Sequence, residues 1–219
     1  MQKYQDNMFA RGLSFFGRSN RLISHELKNV LAIISETTSL LDELIELSEE
    51  GTRLEPGKLR SLAGSILEDI DRANKVIRTM NAFAHGVDTL YGEADVGRAI
   101  NVMQNIARMN AAAKKARLVF PDPEPHTIFT IPFILQNLLY ETLTGVMSGA
   151  TAEIRLVLNG THDGVTIRME GVNPEFGQQW IEEKAAFYEK NLNAALHFDR
   201  AAKVMTITLP ARIEERNVE

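Results

Sequence analysis

Apolar residues recur at three- and four-residue spacings along two stretches near the start of the chain. The stretch 21–50 has neither proline nor glycine, and at 100° per residue its stripe falls roughly 140–240° from His25: Leu27, Val30, Leu31, Ile34, Leu41 and Ile45. The stretch 56–86 begins with proline, ends with glycine and carries a second stripe: Leu59, Leu62, Ile66, Ile70, Ala73, Ile77, Met80 and Ala84. The pattern predicts two antiparallel helices, each about 30 residues or roughly 45 Å long, joined by residues 50–55.

Two helices alone leave both apolar stripes partly exposed to water. The simplest cover is a second copy of the hairpin, which gives a homodimeric four-helix bundle with two-fold symmetry. The alternative is that the hairpin packs on the rest of its own chain.

The pattern changes after Gly92, where helical periodicity gives way to mixed elements. Helices are predicted over 96–116, 132–147 and 175–193, and strands over 116–120, 152–158, 165–170, 195–198 and 203–209. This order predicts an α+β fold in which helices cover a mainly antiparallel sheet. The expected domains are therefore 1–90, a helical hairpin, and 91–219, an α/β sandwich.

Composition narrows the function classes. The chain has 219 residues, a formal net charge of −5 and no cysteine. An acidic chain does not favour nucleic acid as a partner, and the lack of cysteine excludes disulfides, thiol catalysis and cysteine-ligated metals. No stretch is long and apolar enough for a membrane span, so we expect no membrane partner and a cytoplasmic location. The histidines show no metal-ligand spacing, so no metal site is expected.

The helical face opposite the first stripe carries candidate chemistry. By the same arithmetic, a set of residues lies within about 60° of His25: Lys28, Asn29, Ala32 and Glu36. His25 is therefore predicted to be exposed in mid-helix, where a neutral imidazole is a competent nucleophile near neutral pH. Glu26 is about 100° away, within reach of the ring or of a water beside it.

The stretch 24–34, SHELKNVLAII, resembles the phospho-acceptor box of two-component histidine kinases. The family usually has proline where this chain has Val30, so a straighter helix is expected. The stretch 72–84 is similar to the second dimerisation helix of the family. The resemblance implies that His25 is phosphorylated on a ring nitrogen, with Glu26 as acid/base partner. It also implies that Glu26 and Asn29 position water for dephosphorylation of a receiver domain.

The stretch 134–142, ILQNLLYET, looks like the asparagine box of the kinase ATP-binding domain. Asn137 matches the first asparagine, while Glu141 stands where the second would bind magnesium. Glu170 and Gly171 occupy the place of an Asp-x-Gly-x-Gly motif, and no glycine follows Gly177. A triphosphate needs bare backbone close to it, so this site is expected to be degenerate and ATP is not an expected cofactor.

The resemblance as a whole is closest to the dimeric histidine phosphotransferases, which pair a kinase-type hairpin with a degenerate ATPase-like domain. It implies that His25 accepts a phosphoryl group from the aspartate of one response-regulator receiver and passes it to another. Lys28, Ala32 and Glu36 would contact the receiver, and the receiver would supply its own Mg²⁺. Three alternatives remain open: an atypical ATP-dependent kinase, a non-catalytic dimeric adaptor, and a receiver phosphatase.

Overall fold

The computed structural model of the chain describes residues 2–51, 53, 55–113, 115–121, 124–150 and 153–215, without the side chains of residues 2–9. The chain divides into two compact units. The helical unit is Arg18–Asn81. The sheet unit combines the residues up to Gly17 with the chain from Ala82 onward.

Two helices account for the first part of the chain: α1 spans Gln2–Glu49 and α2 spans Pro56–Ala84. The bounds of α2 and the end of α1 agree with the prediction, and Gly51 ends the first helix with a positive φ of 98°. The helix continues through Val30, as expected without proline. However, α1 begins well before residue 21 and runs through Gly12 and Gly17.

The burial of the helical unit differs in part from the predicted stripes. Buried residues lie on both helices: Ile23, Val30, Ala73, Val76 and Thr79. Several predicted stripe residues remain exposed by 38–53%: Leu31, Ile45, Ile70 and Ile77. The apolar arc is wider than one antiparallel partner helix can cover, so part of it faces outward.

The sheet unit holds seven strands and four further helices in the part of the chain that is described. Their bounds are β1 Gly92–Asp95, α3 Val96–Arg108, β2 Leu118–Val119, β3 Thr127–Thr130, α4 Pro132–Ser148, β4 Ile154–Thr161, β5 Gly164–Glu170, α5 Pro174–Trp180, α6 Ala186–Leu192, β6 Ala195–Asp199 and β7 Val204–Pro210. A 3₁₀ turn, His85–Val87, precedes β1, and a π-helical turn, Ile181–Ala185, joins α5 to α6.

The main sheet has the strand order β2-β4-β5-β7-β6, with β2 parallel to β4 and the other pairs antiparallel. This confirms the predicted mixed fold with a mainly antiparallel sheet. Alternate residues on β5 and β7 are buried, which places one sheet face in the core: Val165, Ile167, Met169, Met205, Ile207 and Leu209. Helix α3 packs along α4.

Two details of the sheet unit were not predicted. Strands β1 and β3 pair antiparallel with each other, and their sequences of four residues each carry no alternating pattern. Helix α3 ends at Arg108, earlier than the predicted residue 116. The side chain of Asn110 accepts a hydrogen bond from the Ala112 amide, which favours a turn over another helical one.

A cluster of aromatic rings explains why the first residues of α1 belong to the sheet unit. The Phe15 ring is fully buried, with its centroid 5.4 Å from Phe83, 5.3 Å from Phe133 and 5.4 Å from Tyr140. Beside it, a Cβ built on Gly12 would lie 3.0 Å from the Phe133 ring. The first turns of α1 and the end of α2 therefore belong to the sheet unit.

Candidate functional site

His25 lies in the uninterrupted middle of α1 and is exposed, as the helical periodicity predicts. Asn29, one turn later, donates from Nδ2 to His25 Nδ1 over 3.1 Å. Among the described residues, the other ring nitrogen, Nε2, has no hydrogen-bond partner. The imidazole is thus held at one nitrogen and open at the other.

The amide orientation of Asn29 bears on which nitrogen can attack. A neutral ring that attacks through Nε2 carries its proton on Nδ1. Asn29 can accept a hydrogen bond from that proton through Oδ1 after a half-turn about its Cβ–Cγ bond. The same side chain can therefore orient the ring in either tautomer.

The Glu26 side chain contacts the neighbouring helix. Its carboxylate accepts a hydrogen bond from the guanidinium of Arg72 on α2, and the two groups form an ion pair. Glu26 and His25 form no hydrogen bond or ion pair with each other in the described part of the helical unit. The offset of about 100° between consecutive helical residues turns Glu26 toward the neighbouring helix, where Arg72 meets it.

The expected receiver contacts, Lys28, Ala32 and Glu36, are all exposed on the same helix as His25. Neither Lys28 nor Glu36 forms an ion pair with any residue in the described ranges. Their spacings of three, seven and eleven residues from His25 keep them on its face of the helix. This face is therefore open to a partner.

Two further cations of α2 are tied within their own helix. Lys75 contacts Asp71 at 2.6 Å and Arg78 contacts it at 3.7 Å. The hydrogen bond from Lys75 has the largest effect and holds the pKa of Asp71 below its usual value; desolvation opposes it, and the charges of Lys75 and Arg78 lower the pKa further. Asp71 therefore stays ionised to a lower pH than a free aspartate, and Lys75 keeps its partner.

In the sheet unit, Glu141 of the expected degenerate nucleotide site contacts two other side chains. Glu141 on α4 accepts a hydrogen bond from the Tyr188 hydroxyl over 3.1 Å, and Lys184 Nζ lies 3.8 Å from it. Asn137, one turn earlier, is buried, and its Oδ1 has no partner among the described atoms. Glu141, whose carboxylate stands where the family has a magnesium-binding asparagine, therefore interacts with Tyr188 and Lys184 of the helical segment 174–192.

That helical segment packs directly on α4. A Cβ built on Gly145 would overlap the Phe176 ring, so the two helices touch at this glycine. Asn173 starts the segment, because its Oδ1 accepts hydrogen bonds from the Glu175 amide over 2.9 Å and from the Phe176 amide over 3.2 Å. The segment is thus a capped helix that packs closely on α4.

Glu170 and Gly171 play local roles at the end of β5. The Glu170 carboxylate accepts from Arg168 Nε over 3.1 Å. Gly171 has a φ of 83°, and a Cβ there would lie 2.6 Å from the Glu153 carbonyl oxygen. The chain needs glycine here for the turn that leaves the sheet.

An apolar cleft of about 420 Å³ lies elsewhere in the sheet unit. Leu13, Phe16, Val87 and Leu90 line it, and Thr89 is the one polar residue of its lining. A triphosphate needs cations and backbone donors, so this cleft does not suit one.

Sequence reasoning missed three partners that the structure identifies: Arg72 for Glu26, and Tyr188 and Lys184 for Glu141. No local signal marks any of them, because each pair is far apart in sequence. Across the described residues there is no group of three or more histidine or carboxylate side chains that could hold a metal ion. None of the described helices meets the length and hydropathy that crossing a bilayer requires.

Comparisons with known proteins give structural similarity only. No protein family matches the sequence, and no curated protein matches it. One similar solved structure is the Acinetobacter baumannii histidine kinase AdeS, at 10% sequence identity and a TM-score of 0.43. The match covers 85% of this chain and 98% of that one.

Proposed function

We propose that the chain is a histidine phosphotransfer protein of a two-component phosphorelay. His25 accepts a phosphoryl group from the aspartyl phosphate of one receiver domain and passes it to the aspartate of another. The observation that carries the proposal is the exposed imidazole of His25, held at Nδ1 by Asn29 and open at Nε2.

The proposed step needs little from the protein beyond positioning. The Nε2 lone pair attacks phosphorus, the N–P bond forms, and the P–O bond to the receiver aspartate breaks. The electron pair of that bond leaves with the aspartate carboxylate. The Nδ1 proton, which the Asn29 oxygen accepts after the amide has made its half-turn, is then released to water. The receiver's Mg²⁺ neutralises charge on the phosphoryl oxygens. A carboxylate is a good leaving group, so no general acid is required, which agrees with Glu26 being paired to Arg72.

The sheet unit supports a donor other than ATP. Glu141 is bound by Tyr188, and the helix that begins at Asn173 packs Phe176 on Gly145. In a nucleotide site this region would offer a metal ligand and bare backbone to the phosphates. In this chain the same region has the Glu141 carboxylate in a hydrogen bond with Tyr188 and a helix packed on α4, which favours a phosphoryl donor other than ATP.

The helical unit supports a second copy of the chain as partner. Large apolar residues of the two predicted stripes are exposed by 38–53%: Leu31, Ile45, Ile70 and Ile77. Exposed apolar residues of an amphipathic helix pair favour an interaction surface. A two-fold homodimer covers them with the same residues of the partner helices.

A transfer assay tests the proposal. The purified chain is incubated with Mg²⁺ and either ATP or a receiver domain phosphorylated by acetyl phosphate, and phosphohistidine is measured by mass spectrometry at neutral pH. We expect phosphate on His25 from the receiver and none from ATP, and light scattering should give twice the chain mass of 24.5 kDa. Labelling from ATP alone would identify a kinase instead. Firm receiver binding without phosphohistidine would identify an adaptor.

Asn29→Leu should slow transfer, because the ring loses the hydrogen bond that orients it. One such bond corresponds to about 1 kcal/mol, or roughly a fivefold lower single-turnover rate. The matched control is Asn74→Leu, an exposed asparagine on α2, which should transfer at the wild-type rate. Equal transfer rates for Asn29→Leu and the wild type would show that Asn29 does not orient the His25 ring.

A further inference from the structure

The ion pair between Glu26 and Arg72 joins α1 to α2 immediately beside the reactive histidine. The Glu26 side chain is 18% exposed and the Arg72 side chain 41%. The carboxylate is thus largely withdrawn from water and held against a permanent cation. A group that approaches the His25 ring therefore meets a Glu26 carboxylate whose negative charge is neutralised by Arg72.

An approaching phosphoryl group carries nearly two negative charges. A free carboxylate next to His25 would repel it, and partial burial would weaken the screening of that repulsion by water. The other cations nearby on α2, Lys75 and Arg78, are turned to Asp71 in their own helix. Of these α2 cations, Arg72 is the one that pairs across the hairpin with the residue next to His25.

We propose that Arg72 is a positioning residue for phosphoryl transfer. Its guanidinium neutralises Glu26 and holds it against α2, so that the phosphoryl group meets no uncompensated anion beside His25. This inference rests on the proposed function and assigns to it a residue that acts through Glu26 rather than on the substrate.

The test measures single-turnover transfer from a phosphorylated receiver at several receiver concentrations. Arg72→Gln should lower kcat/KM about tenfold, because the uncompensated carboxylate repels the phosphoryl group. The double variant Arg72→Gln with Glu26→Gln should recover to within about threefold of the wild type, since it removes the anion together with the cation. Arg72→Lys should keep most of the activity.

Lys75→Gln is the matched control, because it removes one positive charge from the same helix but leaves Glu26 paired. Its transfer should stay within about twofold of the wild type, since an exposed pair of this kind contributes little. The loss in Arg72→Gln should also shrink at high salt, which screens the repulsion between the unpaired Glu26 carboxylate and the phosphoryl group.

The outcomes separate the two proposals. Wild-type transfer with an unaffected Arg72→Gln variant overturns the role of Arg72 alone. A loss in Arg72→Gln that Glu26→Gln does not restore also overturns it, because Arg72 would then act only through helix packing. Absence of transfer in the wild-type chain overturns the proposed function, and the role of Arg72 with it.

Discussion

Replacing His25 by glutamine is expected to abolish phosphoryl acceptance and leave the fold intact. Glutamine has no nucleophilic nitrogen, because its amide lone pair is delocalised. A loss of at least about 10³-fold is expected, as for removal of other covalent nucleophiles. Glutamine suits a helix interior, and position 25 is exposed, so the stability change should be small, about 0.5 kcal/mol at most. Phosphate gel-shift electrophoresis of the chain after incubation with a phosphorylated receiver measures the effect.

The matched control for His25 is His162→Gln. His162 is also exposed, with 90% of its side chain accessible, but it lies in the turn between β4 and β5. This variant should accept phosphate at the wild-type rate. Retained labelling of His25→Gln, or loss in His162→Gln, would place the acceptor on another residue.

Phe15→Ala is expected to produce the largest loss of stability. The ring is fully buried among Phe83, Phe133 and Tyr140, so its removal leaves a cavity in the sheet unit. Phenylalanine-to-alanine changes at such sites lower the free energy of unfolding by about 3–5 kcal/mol. Urea unfolding followed by the fluorescence of Trp180, buried in the same unit, measures the change.

The adjacent Phe16 provides the control. It stacks on Phe83 at 5.5 Å between centroids but is 37% exposed. Phe16→Ala should therefore cost less, about 1–1.5 kcal/mol. If the two variants lowered the urea midpoint equally, Phe15 would not be the anchor of the first turns of α1.

The sequence predicts most elements where a local pattern exists. The bounds of α2, the start of α4 at Pro132 and the hairpin of β4 and β5 all follow from periodicity and turn residues. The first turns of α1 do not, because Gly12 and Gly17 argue against a helix there. What stabilises them is packing of Phe15 against residues far along the chain, which no local pattern shows.

In the candidate site, too, features set by one helix could be predicted and contacts between distant residues could not. The exposure of His25 and the position of Asn29 one turn away come from the geometry of a single helix. The partner of Glu26 could not be predicted in this way, because Arg72 lies on the other helix, 46 positions later. Glu141 and Tyr188 are separated by 47 positions, so the hydrogen bond that engages this carboxylate is also a product of the tertiary fold.

The contact of Phe176 on Gly145 has a thermodynamic consequence for the proposed relay. A protein without its own nucleotide cannot drive the exchange in one direction. The donor and the acceptor receiver both carry acyl phosphates of similar chemistry. The net direction of phosphoryl transfer therefore follows the ratio of phosphorylated to unphosphorylated receiver on each side. The chain would then equalise two pools and could drain a pathway as readily as it fills one.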